Sequence, residues 1–206
     1  MNCRRYLQAG GMTLLVAAAV FGGVSCSSKS LREGRSPAYL IIDRLQASPG
    51  AEDEFDDTLE SDVQTHGSIF EDSGRVQMRV ALKDAGTPTS PTEPSVNNAI
   101  TVDRYHVSYT RSDGRNTPGV DVPYAFDGAV TGTITKNPVT LGFVMVRAQA
   151  KAEAPLRNLR GAGGALLIST IADVTFYGRD QVGNAVSVSG RISVNFADWA
   201  DPSSAQ

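Results

Sequence analysis

The chain has 206 residues, with 19 Lys and Arg against 22 Asp and Glu, a formal net charge of −3 at pH 7. No cluster of Lys and Arg forms the basic stripe that a phosphate backbone selects, so the sequence argues against nucleic-acid binding. Two cysteines and two histidines give no disulfide framework and no recognised zinc spacing.

The first 25 residues have the order of an export signal. Arg4 and Arg5 form a short positive head, Met12 to Val24 is an uncharged run rich in Leu, Val, Ala and Gly, and Val24-Ser25-Cys26-Ser27-Ser28 follows. Small residues ahead of a cysteine fit a cleavage site at that point. The apolar run is shorter than the roughly 20 residues a membrane-spanning helix requires. This start resembles a bacterial lipoprotein signal; the plainer alternative is an ordinary cleaved signal with Cys26 incidental. The resemblance implies removal of residues 1–25, lipidation of the Cys26 thiol, and anchoring to a membrane of the bacterial cell envelope through the acylated N-terminus. Ser27 favours the outer membrane where two membranes are present. Each buried CH2 of the acyl chains contributes about 0.8 kcal/mol. Cys3 would leave with the signal, so the mature chain would hold no free thiol and no disulfide. Its stability must then come from an apolar core. The mature chain would carry 17 basic and 22 acidic residues, a net charge of −5.

Residues 26–36 (CSSKSLREGRS) are polar and aperiodic, and read as a flexible tether. From 37 to 200 the pattern is that of strands. Tyr39 to Leu45 is a first strand. Val76, Met78, Val80 and Leu82 alternate with polar or small neighbours. Tyr105, Val107 and Tyr109 alternate with His106, Ser108 and Thr110. Phe126, Val130 and Ile134 share parity, with Gly128 and Gly132 between them. Leu141 to Ala150 is a more continuous apolar run, expected of a central strand buried on both sides. Ile168, Thr170, Ala172, Val174 and Phe176 alternate in one strand, and Val186, Val188, Ile192, Val194 and Phe196 in the next. Gly178 to Asn184 supplies the turn between them. Gly190 is expected to mark a bulge or bend. Residues 201–206 read as a disordered tail.

About seven antiparallel strands with no amphipathic helix predict an all-β fold, a single β-sandwich, with a jelly roll or small barrel left open. Three connections are long: 47–73, which is acidic; 84–98, which is proline-rich; and 112–123. Loops of this length are uncommon unless they have a job, so the long loops at one end of the sandwich are the expected place of binding.

The stretch Val174-Thr-Phe-Tyr-Gly-Arg-Asp-Gln-Val-Gly-Asn-Ala-Val-Ser-Val188 resembles the last hairpin of bacterial immunoglobulin-like and fibronectin type III-like modules, with Asp180, Gly183 and Asn184 at its tip. Tyr105-His-Val-Ser-Tyr109 is similar to an aromatic strand of fibronectin-type modules. The resemblance implies a structural, adhesive or recognition module and brings no catalytic residue with it.

Candidate chemistry is sparse. Glu52, Asp53, Glu54, Asp56, Asp57, Glu60 and Asp62 offer hard oxygen ligands, but their spacing is not that of an EF-hand loop. They read as a solvated acidic loop or a short helix around Glu54 to Leu59; calcium at 52–62 stays open. His106 reads as a polar-face residue of its strand. No serine lies in a Gly-x-Ser-x-Gly elbow. Tyr105 and Tyr109 share a face, either packed in the core or offered as a platform for sugar rings. Asp180 and Asn184 are binding candidates at the hairpin tip. Trp199 is expected to seal the open end of the core. The expected function is therefore non-enzymatic, without cofactor or resident metal: a lipid-anchored module with a protein or glycan partner. The alternative is a carbohydrate-binding module or an accessory subunit of a polysaccharide system.

Overall fold

The computed structural model describes residues 35–50 and 52–199. The signal 1–25, Cys26, the tether up to residue 34 and the tail 201–206 lie outside the described residues.

Among the described residues, the strand period in the sequence becomes ten strands: β1 (Ala38–Ser48), β2 (Thr58–Asp62), β3 (Asp72–Leu82), β4 (Gly86–Thr87), β5 (Ser90–Pro91), β6 (Ile100–Thr110), β7 (Phe126–Ile134), β8 (Val139–Val146), β9 (Ile168–Asp180) and β10 (Ala185–Ala197). The fold is all-β. One sheet has the order β1-β3-β8, a second the order β2-β10-β9-β6-β7, and β4-β5 is a small ribbon. The sheets meet along β1 with β10 and along β7 with β8, so the whole curls into a half-barrel.

One core fills the space between the sheets. Leu40, Val76, Met78, Val80, Phe143 and Met145 come from the first sheet; Val102, Val107, Val174, Phe176, Val194 and Phe196 come from the second. The ring of Phe143 meets that of Phe176 edge-on at 5.2 Å, joining the sheets. The alternation in β3, β9 and β10 survives because each of these strands has one dry and one wet face.

Four expectations change. The count is ten rather than about seven, and the pair β2–β10 is parallel. The acidic segment holds a strand, β2, instead of a helix; only Leu59 and Ser61 of it turn inward. The run after Leu141 is no central strand. β8 lies at a sheet edge, ends at Val146, and gives way to a short helix, α1 (Ala148–Ala152). Its apolar look comes from Leu141, Phe143, Met145 and Val146, which are buried in the core, and from the alanines of the turn and helix that follow. Gly190 makes no bulge, since the β9–β10 register is unbroken from Ala185 to Phe196. It is instead a place of close approach: a Cβ there would stand 3.0 Å from Ile42 Cδ1 and 3.1 Å from Leu45 Cδ2.

Strand direction defines two ends. The chain enters at the base, where Pro37, Leu82, residues 83–99, Thr135 and the hairpin tip 181–184 gather. The distal end carries the segments 49–57, 63–71, 111–125 and 147–167, with Asp198 and Trp199. The proline-rich segment 84–98 is thus at the opposite end from the other long loops, contrary to a single cluster of them.

Candidate recognition surface

The distal end is built on a buried ion pair. Lys151, on α1, is 1 % exposed, and Asp72, at the start of β3, is wholly buried. Lys151 Nζ donates to Asp72 Oδ1 at 2.5 Å, the Ser61 hydroxyl donates to Oδ2 at 2.6 Å, and the Gly50 amide donates to Oδ1 at 3.0 Å. A buried charge is tolerated only when paired and bonded in this way. Burial pushes the Asp72 carboxyl up from its usual range, against the opposing pull of the Lys151 ammonium. Four chain segments are thereby tied at one point, with Lys151 brought in from 79 residues beyond Asp72.

Further bonds fix the loops around it. Arg160 Nη2 donates to the Lys151 carbonyl at 2.7 Å. Asp198 Oδ2 accepts from the Gly161 amide at 2.5 Å. Asp62 Oδ1 accepts from the Trp199 amide at 3.1 Å, and Asp62 Oδ2 from the Thr65 hydroxyl at 2.8 Å. In the segment 111–125, Asp113 accepts from Arg111 at 2.6 Å and from Arg115 at 2.9 Å; these bonds, Arg111 first, hold its carboxyl well below the usual range. The Arg111 amide donates to the Asn116 side-chain Oδ1 at 2.6 Å.

Onto this frame the distal end sets apolar side chains facing solvent: Phe70, Val120, Tyr124, Leu166, Leu167 and Ile171. Isolated exposed apolar residues are ordinary; several at the loop end of one domain are what a recognition surface offers. Leu166 and Leu167 follow Gly161, Gly163 and Gly164, all at positive φ, where a side chain would strain the turns that bring the pair out.

The sequence candidates fall elsewhere. Tyr105 and Tyr109 form no exposed platform: they are 3 % and 5 % exposed. Both share the face of Val107, the core face of β6. The Tyr105 hydroxyl accepts from the Val144 amide at 3.1 Å, and the Tyr109 hydroxyl donates to the Met145 carbonyl at 2.6 Å. Burial pushes both phenols up from their ordinary value. Asp180 and Asn184 turn their polar atoms on one another. Asp180 Oδ1 accepts from the Val182 and Asn184 amides at 3.1 and 2.9 Å, and Oδ2 from Asn184 Nδ2 at 2.9 Å. They shape the tip and leave little of themselves for a ligand. Burial alone would raise Asp180, but these bonds and one from Ser36 bring its carboxyl below the usual range. Tyr177, on the outer face, lies under the Arg104 guanidinium at 4.2 Å. His106 Nδ1 is 3.4 Å from Asp127 Oδ1 on the same face. Trp199 is half-buried at the distal end and outside the main core cluster.

Among the described residues, no group of three or more His, Cys, Asp or Glu is placed to hold a metal ion. The acidic residues of 52–62 are spread: Asp56 bridges to Ala47, Glu60 accepts from Asn195, and Asp62 caps the turn that follows. The Asp72–Lys151 pair has no mark in the sequence beyond a single lysine closing an apolar run.

No family model matches the chain, and no curated protein does. Two solved structures align. One is described as Northeast Structural Genomics Consortium target SoR45, with TM-score 0.35 and 11% identity over 82% of this chain and 91% of that one. The other is Spo0M, a sporulation control protein from Bacillus subtilis, with TM-score 0.28 and 13% identity. The alignment covers 77% of this chain and 49% of Spo0M, so the chain spans about half of that protein's length.

Proposed function

We propose that this chain is a lipoprotein of the bacterial cell envelope. Its β domain, read as an immunoglobulin-like or fibronectin type III-like sandwich, serves as a non-catalytic recognition or adhesive module. The observation that carries the reading is a juxtaposition. A signal-like start ending at Cys26 leads into the base of the domain, while four long segments and their exposed apolar side chains stand at the far end. A module tied at its base presents its distal loops outward, to a protein or glycan partner. Ser27 after the cysteine favours the outer membrane where the cell has two.

Radiolabelled palmitate tests the anchor. The chain expressed in a bacterium should take up label and fractionate with membranes, and Cys26→Ala should lose both. A Cys26→Ala variant that still labels and still sediments with membranes overturns the reading.

A further inference from the structure

We infer that the base of the domain is itself a membrane-contact surface, with Val96 and Val182 set into the bilayer interface. The inference rests on the reading of Cys26 as the lipid anchor and adds to it an orientation and two insertion points.

The two valines are the most exposed large apolar side chains among the described residues, at 81 % and 80 %. Both sit at the base, and both are held stiffly. Val96 opens a 3-10 turn (Val96–Asn98) closed by a capping box, in which the Ser95 hydroxyl accepts from the Asn97 amide and the Asn98 side chain accepts from the Ser95 amide. Val182 stands on the β9–β10 tip, fixed by Asp180 and by Gly183 at φ +90°. Gln181 Nε2 reaches the Ala99 carbonyl at 3.4 Å, joining the two tips. A rigid loop that turns a valine outward gains nothing from water, whereas an interface buries the side chain with no further ordering of the backbone.

The chain enters at the same place. Ser36 bonds Asp180 and caps the Ala38 amide at 3.2 Å, and the Pro37 carbonyl accepts from the Lys83 amide at 3.0 Å. Nine residue steps separate Cys26 from Arg35, a reach of at most about 32 Å. The strands run about 36 Å from base to distal end. An acyl anchor therefore ties the base, not the far loops, close to lipid. Arg35, Lys83, Lys136 and Arg179 lie at this end, and the Arg179 guanidinium bonds the Gly183 carbonyl beside Val182. The acidic residues there include Asp84, whose carboxylate accepts from the Gly86 amide, Asp180, which is bonded into the hairpin tip, and Glu93, which is paired with Lys136 at 3.6 Å. Basic side chains around an apolar tip suit an interface carrying anionic headgroups.

The test uses the chain from Cys26 onward, which contains every residue of the core described above. Its Cys26 thiol is coupled to a maleimide lipid in phosphatidylcholine–phosphatidylglycerol vesicles with brominated acyl chains. The single native tryptophan, Trp199, reports the distal end. Tryptophans placed by Val96→Trp and Val182→Trp report the base, and Val120→Trp is a distal control of similar exposure. The added emission at 96 and 182 should fall by about half, as for a side chain buried about 5–10 Å into the headgroup boundary, with none lost at 120 or 199. In the unsubstituted chain, amide exchange at 96–98 and 182–184 should slow only on vesicles. Equal quenching at all four positions, or unchanged exchange at both tips, overturns the inference. Because the coupling is chemical, this result is independent of the palmitate experiment, which decides acylation alone.

Discussion

The Lys151 ammonium and the Asp72 carboxylate meet 2.5 Å apart across 79 residues of chain, with neither group open to water. The pair joins α1 to the start of β3, and through Ser61 and Gly50 it also holds β2 and the turn after β1. Lys151→Met leaves Asp72 buried with only Ser61 and Gly50 as donors. The expected cost near pH 7 is about 3–5 kcal/mol. Asp72 is already pushed up by burial, and loss of the lysine raises it further. A folded-state value above the unfolded one, about 3.9, makes the fold take up a proton. The deficit of Lys151→Met should therefore shrink as pH falls from 7 toward 5. Urea unfolding at both pH values checks this; a deficit that grows on acidification sinks the account. The double variant Asp72→Leu/Lys151→Met should recover most of the loss.

Tyr105 and Tyr109 should act as core residues. Truncating either to Ala should cost about 3–5 kcal/mol. Tyr109→Phe, which removes only the bond to the Met145 carbonyl, should cost about 1 kcal/mol. Thermal or urea denaturation gives the values. A folded, full-stability Tyr105→Ala/Tyr109→Ala protein would contradict the burial of these rings.

Gly128 and Gly132 in β7 make room for neighbours. A Cβ at Gly128 would run into the Tyr105 ring, and one at Gly132 into Leu141 Cδ2. Gly128→Ala should destabilise by about 1–3 kcal/mol, the usual cost of overpacking. Gly132→Ala should do less harm, because the end of a leucine yields more readily than a ring bonded at its hydroxyl. The ranking, read from urea midpoints, is the test.

The hairpin tip should be acid-sensitive. Asp180 is held below the usual carboxylate range by its bonds to the tip and Ser36, so its contribution is present above about pH 3.9 and is lost as pH falls through the lower folded value. Asp180→Ala should cost about 1–2 kcal/mol at pH 7. The gap between variant and parent should close below about pH 4, followed by denaturant melts across that range.

Asp198→Ala should loosen the distal end locally. It removes the acceptor of the Gly161 amide, so hydrogen exchange should quicken in residues 157–165 while the strands of the core keep their protection. Uniform quickening across β9 and β10 would mean that the bond supports the whole fold.

Much of the β structure was written in local pattern. Period-two alternation in Val76–Leu82, Tyr105–Thr110, Ile168–Tyr177 and Val186–Phe196 marks one dry and one wet face, a property of each strand alone. The same holds for the tip chemistry of Asp180, Gly183 and Asn184, which acts over a few residues. By itself the sequence determined an all-β fold, the inward faces of its long strands and the bonding of its last hairpin. It did not determine β2, because five acidic-flanked residues become a strand only when the edge of β10 accepts them. It favoured packing for Tyr105 and Tyr109 over an exposed platform but did not name what covers them, since parity groups residues on a face without saying which sheet lies against it. Nor did it bring Asp72 to Lys151, or Val96 to Val182 beside the chain's point of entrance. Those pairings join residues remote in sequence, and only the tertiary pairing of β3 with β8 and of β6 with β9 sets the distance between them.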